Sequence, residues 1–162
     1  MNIYKKINSD KKANKKSFAL LIDPDKQDKN QLIAIIEKAK LAQTDYFFVG
    51  GSLLTNDSLA ICLTTLKEHA DIPVVLFPGN AMQINDKADG ILFLSLISGR
   101  NADMLIGKQV ITAPILKQSS LEVLPTGYML IDSGKPTTVS YMSNTIPIPA
   151  DKNEVAACTA MA

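Results

Sequence analysis

The sequence predicts an α/β protein with a parallel sheet, and two patterns carry that prediction. Amphipathic segments with helix-start signals alternate with short segments that are apolar at every position. A strand buried on both faces has this continuous apolar character, whereas a half-exposed strand alternates apolar with polar residues. The predicted strands are Phe18–Ile22, Tyr46–Val49, Val74–Phe77, Ile91–Leu94 and Tyr128–Ile131.

The helices between these strands begin at recognisable caps. Asp28 and Gln31 form a capping-box pattern, in which each side chain bonds the other residue's backbone N–H. Residues Thr55–Asp57 are predicted to cap a helix over Leu59–Leu66. A later helix is expected to end or kink at Pro114, because proline cannot donate the helical hydrogen bond. Alternation of this kind predicts strands that run parallel.

Composition fits one ordinary globular domain and argues against several functions. The chain has 162 residues, of which 46% are hydrophobic, and its net charge of +1 lacks the basic surplus typical of nucleic-acid binding. His69 is the only histidine, and Cys62 and Cys158 do not have metal-like spacing. These features argue against histidine-based triads and histidine-rich metal sites.

The N-terminal segment is rich in lysine, with six lysines between Lys5 and Lys16. We interpret it as a solvated helix and loop; the alternative is a transient contact with an anionic membrane surface. The sequence contains no secretory signal segment and no run of about 18 apolar residues. We therefore expect a soluble, cytoplasmic protein.

Each predicted strand runs directly into a turn that contains Gly, Asp or Ser. In parallel α/β proteins, the carboxyl ends of the strands carry the ligand-binding and catalytic groups. We therefore expect these turns to form one functional rim. The turns are Asp23–Lys26, Gly50–Ser52, Pro78–Asn80, Ser95–Asn101 and Asp132–Lys135.

Carboxylates and a hydroxyl on this rim predict a magnesium site. Asp23 and Asp25 flank Pro24, which restrains the turn, and Ser52 follows the neighbouring strand. Mg²⁺ usually takes one or two carboxylates and completes its shell with water and substrate phosphate. We assign Asp23 and Ser52 to the metal, and Asp25 and Lys26 to substrate binding. The alternative is that Asp23 and Ser52 only cap a turn and a helix, and that Lys26 is solvated.

Other rim residues are less specific. Gly50 and Gly51 allow a ligand to approach the backbone closely, or only a tight turn. Asn80, with Gln83 three residues on, is interpreted as the cap of a short helix. Arg100, the only arginine, either grips a diphosphate or pins its own loop.

Four segments resemble the geranylgeranylglyceryl phosphate synthase family in sequence, order and spacing. The resemblance runs from Ser17 to the end of the chain. It is closest to the bacterial branch, which is related to heptaprenylglyceryl phosphate synthase and acts on long polyprenyl donors. The segments are LLIDPDK at Leu20–Lys26, FFVGGS at Phe47–Ser52, SLISGRN at Ser95–Asn101, and LPTGYMLIDSGKPTTVSYMSNTIPIPAD at Leu124–Asp151.

The resemblance implies a (β/α)₈ TIM barrel that acts as a prenyltransferase in ether-lipid synthesis. Its substrates are a polyprenyl diphosphate, geranylgeranyl or longer, and the C3 hydroxyl of sn-glycerol 1-phosphate, with Mg²⁺ as the expected cofactor. Asp23 and Ser52 match the magnesium-binding positions of the family. Leu21 stands where the heptaprenyl branch has a lysine that binds glycerol phosphate, so that role is not carried over. The full-length form is expected to be a homo-oligomer.

The sequence departs from this family by stopping in a helix before the sixth strand. In the family, the general base and the glycerol-phosphate loops come from the sixth to eighth strands. We therefore expect residues 1–162 to be a single domain, the first five strand–helix units of the barrel, with the catalytic base beyond residue 162. The chain alone is predicted to be inactive, because it lacks the acceptor half of the site. It is also predicted to be of marginal stability or to aggregate, because barrel edges are left unpaired.

Three other classes of protein agree with parts of this sequence. A complete flavodoxin-like domain fits the length, but its phosphoreceiver version needs an acid after the third strand, where Leu76–Gly79 has none. The second alternative is another phosphate-binding barrel enzyme, such as a sugar-phosphate isomerase. The four segments are the main feature that distinguishes this chain from such an enzyme. A truncated, non-catalytic remnant is the third alternative.

Overall fold

The computed structural model describes residues 2–162, which form a five-stranded sheet with helices between the strands. The strands lie side by side in the order in which they occur in the sequence, and the β1–β2, β2–β3 and β3–β4 pairs are parallel. The predicted α/β class is therefore confirmed. The strands are β1 (Ala19–Ile22), β2 (Tyr46–Val49), β3 (Val74–Leu76), β4 (Gly90–Leu96) and β5 (Glu122–Tyr128).

The order of the strands decides between a barrel-type sheet and a flavodoxin-like one. A flavodoxin-like sheet has the order 2-1-3-4-5, because the chain reverses direction across the sheet after its second strand. Here β1 is followed by β2, β3, β4 and β5 without any such reversal. Sequential order is the order of a (β/α) barrel. The flavodoxin-like alternative is therefore wrong.

Within the described residues, 2–162, six α-helices and three shorter helical turns accompany the strands. The capping box of Asp28 and Gln31 is present, with Gln31 N–H donating to Asp28 Oδ1 at 2.8 Å and Asp28 N–H donating to Gln31 Oε1 at 3.0 Å. The α-helices are α1 (Ile3–Lys12), α2 (Lys29–Leu41), α3 (Leu59–His69), α4 (Lys108–Gln118), α5 (Thr138–Ser143) and α6 (Asn153–Met161). The turns are two 3₁₀ turns, Pro24–Lys26 and Ala81–Gln83, and a π-helical turn, Asp103–Gly107.

The predicted cap of α3 is wrong, although the helix begins at Leu59 as predicted, and α4 does not end at Pro114. α3 begins after Ser58, which gives it no side-chain cap, because the side chains of Thr55 and Ser58 bond Asp25 instead. α4 continues to Gln118, past Pro114. Pro114 is exposed, so water can satisfy the carbonyl that loses its helical partner.

The fifth strand lies earlier in the sequence than predicted. It spans Glu122–Tyr128 and includes Pro125 and Gly127, so it is not a continuous apolar run. β5 is the last strand in the sheet order, and proline is tolerated in an edge strand. The predicted strand end, Ile131, forms only an isolated parallel bridge to Ile148.

The chain divides into two compact units. Unit 1 extends up to Leu92 and includes Ser119–Leu124; unit 2 consists of Phe93–Gln118 and Pro125–Ala162. In unit 1 the buried core combines strand residues with residues of α2 and α3, which explains the continuous apolar runs of the inner strands. The fully buried core residues of unit 1 include Ile36, Phe47, Leu63, Leu66, Val74, Val75 and Leu76.

The lysine-rich N-terminal segment is a helix, as predicted, and one of its ends is fixed. The Glu122 carboxylate accepts hydrogen bonds from the backbone N–H groups of Ile3, at 2.7 Å, and Tyr4, at 2.8 Å. A carboxylate at this position suits the helix dipole and satisfies two otherwise unpaired donors. The Ile3 side chain packs in a cluster with Tyr46, Val75 and Leu124. Membrane contact by the lysines stays a prediction.

No helix within residues 2–162 combines the length and the apolar character that a membrane span requires.

Candidate functional site

Asp23 and Ser52 leave the same end of the sheet. Ile22 of β1 is the register partner of Val49 of β2, and Gly50 N–H donates to Ile22 O at 3.1 Å. The two residues therefore follow the carboxyl ends of adjacent parallel strands. Oδ1 of Asp23 lies 3.4 Å from the position that a Cβ on Gly51 would occupy, so the carboxylate rests against the residue preceding Ser52.

The Asp23 carboxylate has few protein partners and remains accessible. Its Oδ1 accepts a hydrogen bond from Asp25 N–H at 3.2 Å, which caps the turn Pro24–Lys26. Its Oδ2 lies 3.1 Å from Lys26 Nζ, and the two side chains are 25% and 73% exposed. Ion pairs that include so exposed a lysine contribute little to stability. A cation can therefore compete with Lys26 for this carboxylate.

Asp25 fastens the turn after β1 to the segment before α3. Its Oδ1 accepts a hydrogen bond from Ser58 Oγ at 2.7 Å, and its Oδ2 accepts from Thr55 Oγ1 at 2.9 Å and from Thr55 N–H. The Thr55 backbone N–H and the Ser58 hydroxyl hold the pKa of Asp25 below its ordinary value. Both carboxylate oxygens are thus engaged. The role of Asp25 in substrate binding stays a prediction.

We expect Asp25→Asn to lower the melting temperature at pH 7 and to make the melting temperature depend less strongly on pH in the acid range. The Asp25 pKa is depressed in the folded state, so its stabilisation is complete above the unfolded value of 3.8 and is lost as pH falls through the folded value. The gap in melting temperature between wild type and variant should therefore shrink below about pH 4. Thermal melts from pH 7 to pH 3 measure it. No gap at pH 7 would contradict this tethering role.

The turns after β2 and β3 are in direct backbone contact, which only glycine permits. A Cβ on Gly50 would overlap the carbonyl oxygen of Phe77, and Gly50 has φ of +153°. A Cβ on Gly79 would overlap the carbonyl oxygen of Gly51 and lie 2.8 Å from that of Ser52. The sequence left two interpretations of Gly50, close approach of a ligand to the backbone and a tight turn. This packing gives a structural reason for the tight turn.

Gln83 has a role in this region beyond the helix start that its spacing from Asn80 predicts. Asn80 does cap the short helix, with Oδ1 accepting from Met82 N–H at 2.8 Å. The Gln83 side chain is buried and turns away from that cap, toward Gly51 and Gly79. A glutamine flanked by apolar Met82 and Ile84 was the available signal in the sequence.

In unit 2, the loop Ser98–Asn101 is pinned by residues other than Arg100. The buried Ser98 hydroxyl accepts a hydrogen bond from Leu130 N–H at 3.0 Å. The Asn101 amide donates to Ser143 O at 2.6 Å, and its oxygen accepts from Asp103 N–H at 3.1 Å. Arg100 itself is exposed, with φ of +58°. The hydrogen bonds of Ser98 and Asn101 thus hold the loop, and binding of a diphosphate by Arg100 stays a prediction.

The oxygen donors after β1 and β2 suit a magnesium ion better than a metal enclosed by protein. Within residues 2–162, no group of three or more His, Cys, Asp or Glu side chains could hold an ion. That argues against a closed zinc site, which takes four protein ligands. One accessible carboxylate and one hydroxyl match what Mg²⁺ takes from a protein, since the ion completes its shell with water and substrate phosphate. The metal assignment to Asp23 and Ser52 stays a prediction.

Sequentially ordered parallel strands, with polar groups gathered where β1 and β2 end, define an α/β protein of the barrel type. A sequence-family model described as the PcrB family matches residues 11–162. The chain therefore belongs to the PcrB family.

Curated relatives of this chain have the same name as the family that its sequence motifs resemble. The chain is 52% identical over 152 residues to the geranylgeranylglyceryl phosphate synthase of Spirosoma linguale, covering 94% of this chain and 61% of that protein. It is 54% identical over 147 residues to the synthase of Chitinophaga pinensis, covering 91% and 58%. The resemblance stated from the sequence is confirmed. The chain spans about three fifths of the length of these curated relatives.

Solved structures support the same family. The crystal structure of (S)-3-O-geranylgeranylglyceryl phosphate synthase from Thermoplasma acidophilum, in complex with its substrate sn-glycerol-1-phosphate, matches with a TM-score of 0.91. Its sequence is 30% identical, and the match covers 99% of this chain and 64% of that one. The similarity confirms the predicted (β/α)₈ barrel family, with about five strand–helix units in this chain.

Proposed function

We propose that this chain belongs to a prenyltransferase that joins a polyprenyl diphosphate to the C3 hydroxyl of sn-glycerol 1-phosphate. One observation carries the proposal: the Asp23 carboxylate rests against Gly51, beside Ser52, at the carboxyl ends of two adjacent strands. Membership in a family whose curated relatives are named geranylgeranylglyceryl phosphate synthase supports it. The structural neighbour that binds sn-glycerol-1-phosphate supports the same acceptor class.

We propose that Asp23 and Ser52 hold a Mg²⁺ ion and that nearby residues place the diphosphate donor. When bound, Mg²⁺ would stabilise the negative charge on the departing diphosphate. The glycerol hydroxyl oxygen replaces diphosphate on the allylic carbon, and the hydroxyl proton passes to a general base. Lys26 is 73% exposed beside Asp23 and can contribute its ammonium to a phosphate oxygen. Asp25 keeps the turn Pro24–Lys26 fixed to the segment before α3. A cytoplasmic location and a homo-oligomeric full-length form stay predictions.

The test of this function is a prenyl-transfer assay with a chimera. In the chimera, this chain replaces the matching segment of the Spirosoma linguale relative, to which it is 52% identical. We expect the chimera to transfer radiolabelled prenyl groups from a polyprenyl diphosphate to sn-glycerol 1-phosphate when Mg²⁺ is supplied. The 162-residue chain assayed alone is predicted to give no product.

Two controls make the assay decisive. The unmodified relative establishes that the assay detects turnover, and sn-glycerol 3-phosphate tests acceptor specificity. A folded chimera that releases no product, beside an active relative, would contradict the proposed function. Robust turnover by the 162-residue chain alone would contradict the prediction that it is inactive.

A further inference from the structure

A single side-chain amide, 3% exposed, joins the turns that follow β2 and β3. Gln83 Nε2 donates to Gly51 O at 2.8 Å. Gln83 Oε1 accepts from Gly79 N–H at 3.2 Å and, more weakly, from Gly51 N–H at 3.4 Å. A buried amide must find partners for both its donor and its acceptor, and here each partner belongs to a turn of the candidate site.

The same turns are closed on their other sides by backbone, so they cannot shift to a new position without losing contacts. Gly50 lies against Phe77 O, and Gly79 lies against the carbonyl oxygens of Gly51 and Ser52. Gln83 Oε1 itself lies 3.2 Å from the position of a Cβ on Gly50. The hydrogen bonds by which Gln83 joins the two turns are called the clamp below. Ser52 follows Gly51 directly, so its position depends on this clamp.

We infer that Gln83 is a positioning residue of the strand-end site, which holds Gly51 and Ser52 in the arrangement that receives a cation and a diphosphate. The inference rests on the proposed function, because it concerns the same site. Gln83 acts through the backbone of Gly51, since its amide is occupied by the two turns. Residues that orient metal ligands in this way typically change metal affinity by about 10–100-fold when they are replaced.

Only a neutral amide on a side chain of this length can both donate to Gly51 O and accept from Gly79 N–H. Glutamate at position 83 would place an acceptor against Gly51 O and remove the donated hydrogen bond. Methionine fills a similar volume without either hydrogen bond, and asparagine keeps the amide but shortens its reach by one methylene. Gln83→Met therefore removes the clamp, and Gln83→Asn is the milder variant should the first fail to fold.

Gln109 offers a matched control in unit 2. Its Nε2 donates to two backbone carbonyl oxygens, those of Leu94 and Met104, the latter at 2.8 Å. Gln109→Met thus deletes an amide that bonds backbone, as Gln83→Met does, without touching Gly51 or Gly79. A general loss of stability would affect both variants, whereas a loss of positioning would affect only the Gln83 variants.

The test measures binding of Mg²⁺ with inorganic pyrophosphate by titration calorimetry, and backbone hydrogen exchange at Gly51 and Gly79, in the chimera with the Spirosoma linguale relative and in its variants. We expect Gln83→Met and Gln83→Asn to raise the Kd for pyrophosphate by about 10-fold or more and to speed exchange at both glycines. Gln109→Met should leave both quantities unchanged.

The outcomes separate this inference from the proposed function. An unchanged Kd in folded Gln83 variants, with an unmodified chimera that binds, would overturn the positioning role and leave the proposed function standing. An unmodified chimera that binds no Mg²⁺ and pyrophosphate contradicts the proposed metal site, and the positioning role falls with it. A Kd raised equally by Gln109→Met would also overturn the inference, because the effect would then be general.

Discussion

Replacing Asp23 by asparagine in the chimera should lower kcat/KM by about 10²–10³-fold, the loss typical when one electrostatic contact to developing charge is removed. Asparagine keeps an oxygen that can accept from Asp25 N–H, so the cap of the turn survives. What disappears is the negative charge that faces Lys26 and is proposed to hold Mg²⁺. The melting temperature should therefore change by no more than about 2 °C.

Asp28→Asn is the matched control for this variant. It makes the same chemical change five residues along the chain, at the exposed cap of α2, where asparagine is also a good cap. We expect its kcat/KM to equal that of the unmodified chimera. Equal rates for the Asp23→Asn and Asp28→Asn variants would remove the metal assignment. A large fall in the melting temperature of Asp23→Asn would indicate a structural role instead.

Replacing Gly50 by alanine should destabilise the chain by at least about 3 kcal/mol, because strain and overlap with backbone add together. The new Cβ would overlap Phe77 O, a backbone atom that cannot swing aside as a side chain can. The φ of +153° would also be strained for alanine. For a chain of this size, the loss corresponds to a fall of about 6–12 °C in melting temperature.

Gly134→Ala separates the two contributions to that loss. Gly134 also has positive φ, +79°, but nothing lies within 4 Å of where its Cβ would be. This variant should therefore lose only the backbone contribution, about 1 kcal/mol. Chemical denaturation of both variants measures the difference. A Gly50 variant no less stable than the Gly134 variant would show that the turns after β2 and β3 are not held in close contact.

The sequence was sufficient to place the first four strands and the paired strand ends, because both depend on local signals. A strand buried on both faces must be apolar throughout, and β2 was located at Tyr46–Val49 without error. Parallel pairing then fixes which turns share an edge, so the sequence alone predicts that Asp23 and Ser52 lie at the same edge. The fifth strand could not be located in this way, since Pro125 and Gly127 interrupt the apolar pattern of this edge strand.

The missed contacts join residues far apart in the sequence. Thr55 and Ser58 look like helix caps, yet they bond Asp25, 30 and 33 residues away. Gln83 looks like part of a helix start, yet its amide bonds Gly51, 32 residues away. A capping pattern identifies a polar side chain that seeks a backbone or side-chain partner, but tertiary packing selects which partner it finds. Those partners could not be predicted from spacing alone.

The central claim is that one divalent cation is held where β1 and β2 end, and a paramagnetic ion tests it most directly. Mn²⁺ accepts the same oxygen ligands as Mg²⁺ and broadens the NMR signals of nearby nuclei. With pyrophosphate present, titrating Mn²⁺ into the isotope-labelled chimera should broaden the amide signals of Asp23, Gly51 and Ser52 first, and excess Mg²⁺ should reverse the effect. Broadening that leaves these three signals sharp while others disappear would contradict the claim.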